Sequence, residues 1–512
     1  MGRTFGEIQA GPALVRAARF AVVATVLALG WAMVHAMQVR ATWYDEYYTF
    51  WVTRGAIGWG EALRAHWLAD NHPPLFYALS RATAWLGETI EARRGLNQLI
   101  ALAALGGSLA ALRGRAPGDR VLAALFLLVL AGQGAAYPFV AELRSYFLSY
   151  CAVALLALAL VLVWTGEGAP GRTLRIVLWG ATLVAFNTHV MTSVVASAAM
   201  LPFVALALLR RDRMRLRTVL APAMAAGLLF TATVAVQASL WLENTAQFWI
   251  PAGLGQALGS LLILADYALG ANRPASLAAL AGLGLLALRA VRERALLPRL
   301  EAALLLAGGI AIAAVLALAL QAWRPSVIPK YLIGLIPLLA MIVALGLAEA
   351  CERLRSMAGA ALLLSVCAMG LVSLWRNAGA IDGQKGWDAA ARVIARQVAR
   401  CPDTAVHVDP RWNRYLASLQ PADNARVVAF AYRHVAARHG FAVEPPQSRR
   451  MPRGCPTLFW AQTVSEAMPA EAEVLAHERA QGFAIERLWF HRVDGAWIAS
   501  TDPGSFSVKS AD

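Results

Sequence analysis

The chain has 512 residues, 59% of them hydrophobic and 15% charged, with a mean hydropathy of +0.54. Soluble globular proteins carry about a quarter of their residues as charges, so a string of ordinary soluble domains is excluded. The net charge of +15 is unevenly placed: residues 1–376 hold 30 Lys+Arg against 17 Asp+Glu, and residues 377–512 hold 16 against 14. The basic excess belongs to the apolar part, as cytoplasmic loops produce, and no basic, aromatic-studded soluble surface points to nucleic acid.

In chain order, the first hydrophobic run, Phe20–Met37, ends in Met37-Gln38-Val39-Arg40 without a small-x-small cleavage site, and reads as a retained anchor. Arginine clusters lie at Arg3/Arg16/Arg19, just before that run, and then at Arg113/Arg115/Arg120, Arg172/Arg175, Arg210–Arg217, Arg289–Arg299 and Arg353/Arg355. Short cytoplasmic loops collect Lys and Arg, so neighbouring clusters are separated by an even number of crossings. About eleven spans satisfy this, near 18–38, 95–112, 121–140, 146–164, 173–190, 192–209, 218–238, 272–289, 300–321, 331–350 and 357–375. Pro74–Leu86 is too short to cross and is expected to lie at the interface. The expected fold is an α-helical polytopic membrane domain over 1–376 with the N-terminus cytoplasmic. Residues 40–94 form a long outer loop, and a small α/β soluble domain over 377–512 lies on the same outer side.

In that tail, Trp387–Arg400 has helical apolar spacing. Ala405–Val408, Val427–Ala431 and Thr457–Trp460 read as strands, and Ile485–Phe490 with Ala496–Ser500 as a closing hairpin. Cys401 and Cys455 stand in the same outer domain, where a disulfide or two unrelated thiols are equally compatible with the sequence. Cys151, Cys351 and Cys367 fall in or beside spans and read as packing residues. No CxxC, HExxH, Walker or GxGxxG signature and no internal repeat is present.

The expected topology puts ionisable groups from five separated segments at one membrane level. They are Asp45-Glu46 after the first span, Asp70-Asn71-His72-Pro73-Pro74-Leu75 in the same loop, Glu142-Leu143-Arg144-Ser145-Tyr146, His189, and Lys330-Tyr331. Taken singly each has a plain explanation. An acidic pair is usually solvated, aromatics form interfacial belts, Arg and Lys snorkel, and a Pro pair starts helices. Their convergence at the boundary, where charges are costly to desolvate, marks a site.

This ordered set resembles the dolichyl-phosphate-mannose–protein mannosyltransferase superfamily, which includes bacterial aminoarabinose transferases and RgtA/B/C/D-like transferases. The similarity spans about residues 40–350 and rests chiefly on the acidic pair and His72-Pro73-Pro74-Leu75. Lys330 departs from the pattern, since Arg commonly precedes that Tyr; the charge is kept and the bidentate fork is lost. The resemblance implies a GT-C fold in a bacterial-type inner membrane. It implies transfer of a sugar from a polyprenyl-phosphate donor to a glycan, lipid or protein acceptor on the outer side. Asp45 matches the family's general base, with Glu46 orienting acceptor or base. His72, Pro73, Glu142, Arg144, Tyr146, His189, Lys330 and Tyr331 would bind substrate, Arg144 and Lys330 receiving the lipid phosphate. Some relatives use a divalent metal near the His-Pro-Pro element. Here Asn71 stands in place of a Glu ligand, leaving Asp70, His72 and His189 as candidates. The span count alone also fits a transporter or flippase for a lipid-linked envelope precursor, and the scaffold also fits a non-catalytic binding subunit.

Overall fold

A computed structural model of the chain describes residues 10–244, 250–382, 387–408, 421–462, 470–493 and 495–506. The chain forms two compact units, Met1–Val39 with Gly55–Asp382 and Arg40–Arg54 with Gly383–Asp512. It leaves the first unit after α1 (Pro12–Val39), gives α2 (Tyr44–Val52) to the second, and re-enters the first at Gly55.

The first unit is helical. After the eight-residue α3 (Leu75–Ala82) come α4 (Gly95–Ala111), α5 (Pro117–Ala131), α6 (Tyr146–Thr165), α7 (Arg172–Thr188), α8 (Val190–Leu209) and α9 (Arg213–Asn244). The series continues with α10 (Leu254–Gly270), α11 (Arg273–Glu293), α12 (Pro298–Trp323), α13 (Leu335–Arg353) and α14 (Ser356–Asp382). Among the described residues eight helices are long and apolar enough to cross a bilayer, and the chain is a multi-pass membrane protein. α6 and α13 form the centre, with 83% of their most apolar stretch buried, against 17% in α9 and 22% in α11. The outer helices present bare leucines such as Leu228 and Leu277. Water would penalise that surface and hydrocarbon does not.

Every expected span has a helix at its place, with two differences. The run at 121–140 is a helix only to Ala131; Gly132-Gln133-Gly134 stops it, and a 3₁₀ turn (Gly134–Ala136) and one helical turn (Tyr137–Val140) follow. The 17-residue α10 is an apolar helix that the hydropathy reading lacked. α3 spans only about 12 Å at 1.5 Å per residue, less than half the hydrocarbon thickness.

Small residues bring helices into backbone contact. A Cβ on Gly346 of α13 would lie 2.2 Å from the Ala279 carbonyl oxygen of α11, and one on Gly282 would lie 1.9 Å from that of Gly346. The paired arginines gather at one end of this bundle. Arg299 meets Glu352 at 2.8 Å, Arg289 meets Glu349 at 3.1 Å, and Glu301 accepts from Trp164 Nε1 at 2.7 Å and Arg210 Nη1 at 2.9 Å.

The second unit holds α2, α15 (Trp387–Arg400), α16 (Pro421–Arg438) and α17 (Glu471–Ala480). Its strands are β1 (Ala405–Val408), β2 (Thr457–Gln462), β3 (Trp489–Val493) and β4 (Ala496–Ser500), in the order β1-β2-β4-β3. β1 and β2 run parallel, and the other neighbours are antiparallel, Trp460 facing Ile498 and His491 facing Ile498 from the other side. Side chains alternate across β2. Trp460 packs on Trp387 and Tyr432, whereas Phe459 joins Val474, Phe483 and Trp497. The expected strand at Val427–Ala431 is instead part of α16. Val427, Ala431 and Val435 recur every fourth residue and are all buried, and a five-residue apolar run by itself does not separate helix from strand. Cys401 and Cys455 form a disulfide that closes 54 residues, Cα atoms 5.7 Å apart.

Candidate active site

In the first unit the His-Pro-Pro segment is held by a residue remote in sequence. The Gln237 amide, fully buried in α9, donates to the carbonyls of Trp67, Asp70 and His72 at 3.2, 2.8 and 3.0 Å. A backbone inside an apolar bundle needs such partners for its carbonyls. Pro73 is buried and precedes α3, whose Tyr77 turns back onto the segment.

Asp70 lies at the centre. Its Oδ2 accepts from His72 Nδ1 at 3.2 Å and from the Tyr77 hydroxyl. Arg144 donates Nη1 to the Tyr77 oxygen at 3.3 Å, and its Nη2 faces His72 Nε2 at 3.4 Å. In its neutral form His72 donates from Nδ1 to the carboxylate and accepts at Nε2 from the guanidinium. Burial alone would raise the Asp70 carboxyl; His72 and then Arg144, with the Tyr77 hydrogen bond, more than reverse that and hold it at about 2. The Tyr77 hydroxyl is pushed well above its ordinary value by burial and the adjacent Asp70.

Arg144 and Tyr146 sit where the interrupted α5 run turns into α6. Asn97 of α4 fixes that turn, donating to the carbonyls of Phe139, Val140 and Glu142 at 3.2, 3.2 and 2.8 Å. The Glu142 side chain is buried, two residues before Arg144. His189 caps α8, its Nδ1 accepting from the Met191 amide at 3.1 Å, which leaves Nε2 as the protonated nitrogen of the neutral ring. Its ring lies 5.0 Å from those of His72 and Tyr331 and 5.8 Å from that of Tyr146. Lys330 Nζ stands over Tyr146 and Tyr331 at 5.4 and 5.6 Å, within cation–π range. Asp70, His72, Arg144, Tyr146, His189, Lys330 and Tyr331 thus form one cluster at the end of the bundle opposite the Arg–Glu pairs.

Asp45 and Glu46 belong to the second unit. They occupy the first turn of α2, where a carboxylate is favoured by the helix dipole, and Glu46 is fully buried. α2 is anchored through Tyr47, whose ring lies 5.3 Å from Trp387, and through Phe50, stacked on Phe430 at 5.8 Å.

Among the described residues, Asp70, His72 and His189 included, no group of three or more His, Cys, Asp or Glu is placed to hold a metal ion. Asp70 Oδ2 is taken up by His72 and Tyr77, and His189 Nδ1 by a backbone amide. His72 Nε2 points at a guanidinium, where a second cation would be repelled. Sequence reasoning did not assign Gln237, Asn97 or Tyr77. A lone glutamine in the 218–238 run was the available signal for the first, since a mid-span amide needs a partner.

No family model and no curated protein matches the sequence. Among solved structures, ArnT from Cupriavidus metallidurans bound to undecaprenyl phosphate superposes with a TM-score of 0.54 at 13% identity, covering 94% of this chain and 98% of that one. The apo state of the same protein gives 0.54 at 14% identity with the same coverage. The Archaeoglobus fulgidus oligosaccharyltransferase AglB, solved with an inhibitory peptide and a dolichol-phosphate, is similar at a TM-score of 0.40 and 12% identity, covering 86% of this chain and 69% of that one. Over nearly its whole length, the chain shares the fold of ArnT.

Proposed function

We propose that the protein transfers a sugar from a polyprenyl-phosphate carrier to an acceptor hydroxyl at the outer face of a bacterial-type inner membrane. The observation that carries this reading is the pair of cations, buried Arg144 and half-buried Lys330, gathered with His72 at one end of a membrane bundle. Such a place suits a lipid phosphate whose tail stays in the bilayer. The ArnT fold supports it, since that protein was solved with undecaprenyl phosphate.

In the transfer, the acceptor oxygen bonds to the anomeric carbon as the bond from that carbon to the phosphate oxygen breaks. The acceptor proton passes to Asp45, and the electron pair of the broken bond leaves on the polyprenyl phosphate. Arg144 and Lys330 meet the charge developing on that phosphate, the interaction worth most in a water-poor site. Tyr77 and His72 hold the guanidinium in place, and Asp70 fixes both. Glu46 orients the acceptor or Asp45. His189, Tyr146 and Tyr331 provide the aromatic floor beside the sugar, with Pro73 and Glu142 shaping the two segments that carry His72 and Arg144.

The test is Asp45→Asn in purified protein given a polyprenyl-phosphate sugar. The expected result is a loss of transfer of at least about 100-fold with unchanged insertion and thermal stability. Transfer at the wild-type rate overturns the reading. Asp45-dependent flux into sealed vesicles without acceptor would favour a transporter.

A further inference from the structure

The bundle contains a second feature with a recognisable chemistry. An apolar cleft of about 1040 Å³ runs between α1, α4, α5 and α6. One end is lined by Arg19, Arg113 and Arg120; the other reaches Gln133 and Tyr137, whose hydroxyl bonds the Ala32 carbonyl at 2.8 Å. From Arg19 to Val34, both on the wall, α1 rises about 22 Å at 1.5 Å per residue, more than the roughly 15 Å of one leaflet's hydrocarbon.

Among the described residues at this end of the bundle six arginines are paired with a carboxylate, and the three that line the cleft are not among them. Arg115, two residues from Arg113, is paired with Asp119 at 2.9 Å, and Arg210, Arg215, Arg289, Arg299 and Arg353 each have a carboxylate. The guanidinium groups of Arg19, Arg113 and Arg120 make no hydrogen bond or ion pair among the described residues, and all three are exposed. An apolar slot of acyl-chain length, ending in three uncompensated positive charges, is complementary to an amphiphile with an anionic head.

We infer that this cleft binds one anionic glycerophospholipid, its acyl chains along α1 and α4 and its phosphate between Arg19, Arg113 and Arg120. The polyprenyl phosphate of the transfer reaction is a poor occupant. Its phosphate belongs beside Arg144, at the N-terminal end of α6, whereas Arg115 bonds the Leu162 carbonyl at 2.8 Å near the C-terminal end. The 20 residues of α6 separate these ends by about 30 Å. The lipid site therefore stands independently of the transfer reading, and Asp45→Asn would leave it intact.

Native mass spectrometry of the full chain, titrated with phosphatidylglycerol and phosphatidylethanolamine, tests the inference. The wild type should retain one phosphatidylglycerol in preference to phosphatidylethanolamine. The triple variant Arg19→Gln/Arg113→Gln/Arg120→Gln should weaken phosphatidylglycerol retention about 100-fold, from about five-fold per arginine, and leave phosphatidylethanolamine unchanged. Ala104→Trp, which fills the slot and keeps the charges, should lower retention of both, and the corresponding triple Lys variant should restore the preference. Equal phosphatidylglycerol retention in the triple Gln variant overturns the proposal. So does displacement of the bound phospholipid by stoichiometric undecaprenyl phosphate. If the Gln variant does not fold, the Ala104→Trp and Lys variants decide between the same outcomes.

Discussion

At the residue scale, Arg144 carries the largest share of the proposed chemistry, because one guanidinium reaches both Tyr77 and His72. Arg144→Gln should slow single-turnover release of polyprenyl phosphate by about 100- to 1000-fold, the effect of removing one preorganised charge-stabilising donor. Arg144→Lys should recover part of the rate, since charge returns without the two-armed geometry. Asp70 gives a stability prediction with a definite sign. Its folded pKa is depressed from 3.8 to about 2, so its contribution is fully present above the unfolded pKa and is lost as the pH falls towards the folded one. The difference in stability between wild type and Asp70→Asn should amount to about 2 kcal/mol at neutral pH. It should shrink between about pH 4 and pH 2, as followed by thermal unfolding in detergent. The loop and helix-end candidates are legible in the sequence because charged residues at a membrane boundary are costly and therefore conspicuous. The partner of the His-Pro-Pro segment is not: Gln237 lies 165 residues from His72, and nothing in a linear pattern says which carbonyls a buried amide will meet.

At the element scale, hydropathy reads the long helices well because hydrocarbon demands backbone satisfied within each segment. It reads their ends poorly. The stop at Gly132-Gln133-Gly134 shortens α5 and creates the turn that presents Arg144, yet apolar character continues through Val140. α10 escapes notice since its 17 residues include polar positions such as Gln256 and Asp266. Helix packing yields a sharper expectation. Gly346→Leu should drive a side chain into the α11 backbone, where even a Cβ would meet the Ala279 oxygen at 2.2 Å. A loss of at least about 3 kcal/mol, or failure to insert, is expected in SDS-titration unfolding. Gly284→Ala is the control, two residues from Gly282 on the other side of the helix and with nothing within 4 Å of its Cβ position, and it should be neutral or mildly stabilising.

At the scale of the whole molecule, the division into a membrane part and a small α/β part is visible in the charge and hydropathy shift near residue 377. The allegiance of 40–54 is not, because it rests on aromatic contacts such as Phe50 with Phe430 across 380 positions of chain. That allegiance bears on how the protein is made. α2 emerges from the ribosome right after the first helix, whereas its packing partners Trp387 and Phe430 are among the last third of the chain to appear. Until then Tyr47, Phe50 and Trp51 lack the surface they are shaped for. A chain halted after Asp382 should therefore insert its bundle but leave 40–54 open to protease, and supplying residues 383–512 in trans should restore protection. The carboxylates of Asp45 and Glu46 would thus be set in place only when synthesis is complete, so that a nascent chain holds His72 and Arg144 long before it holds the proposed base in position.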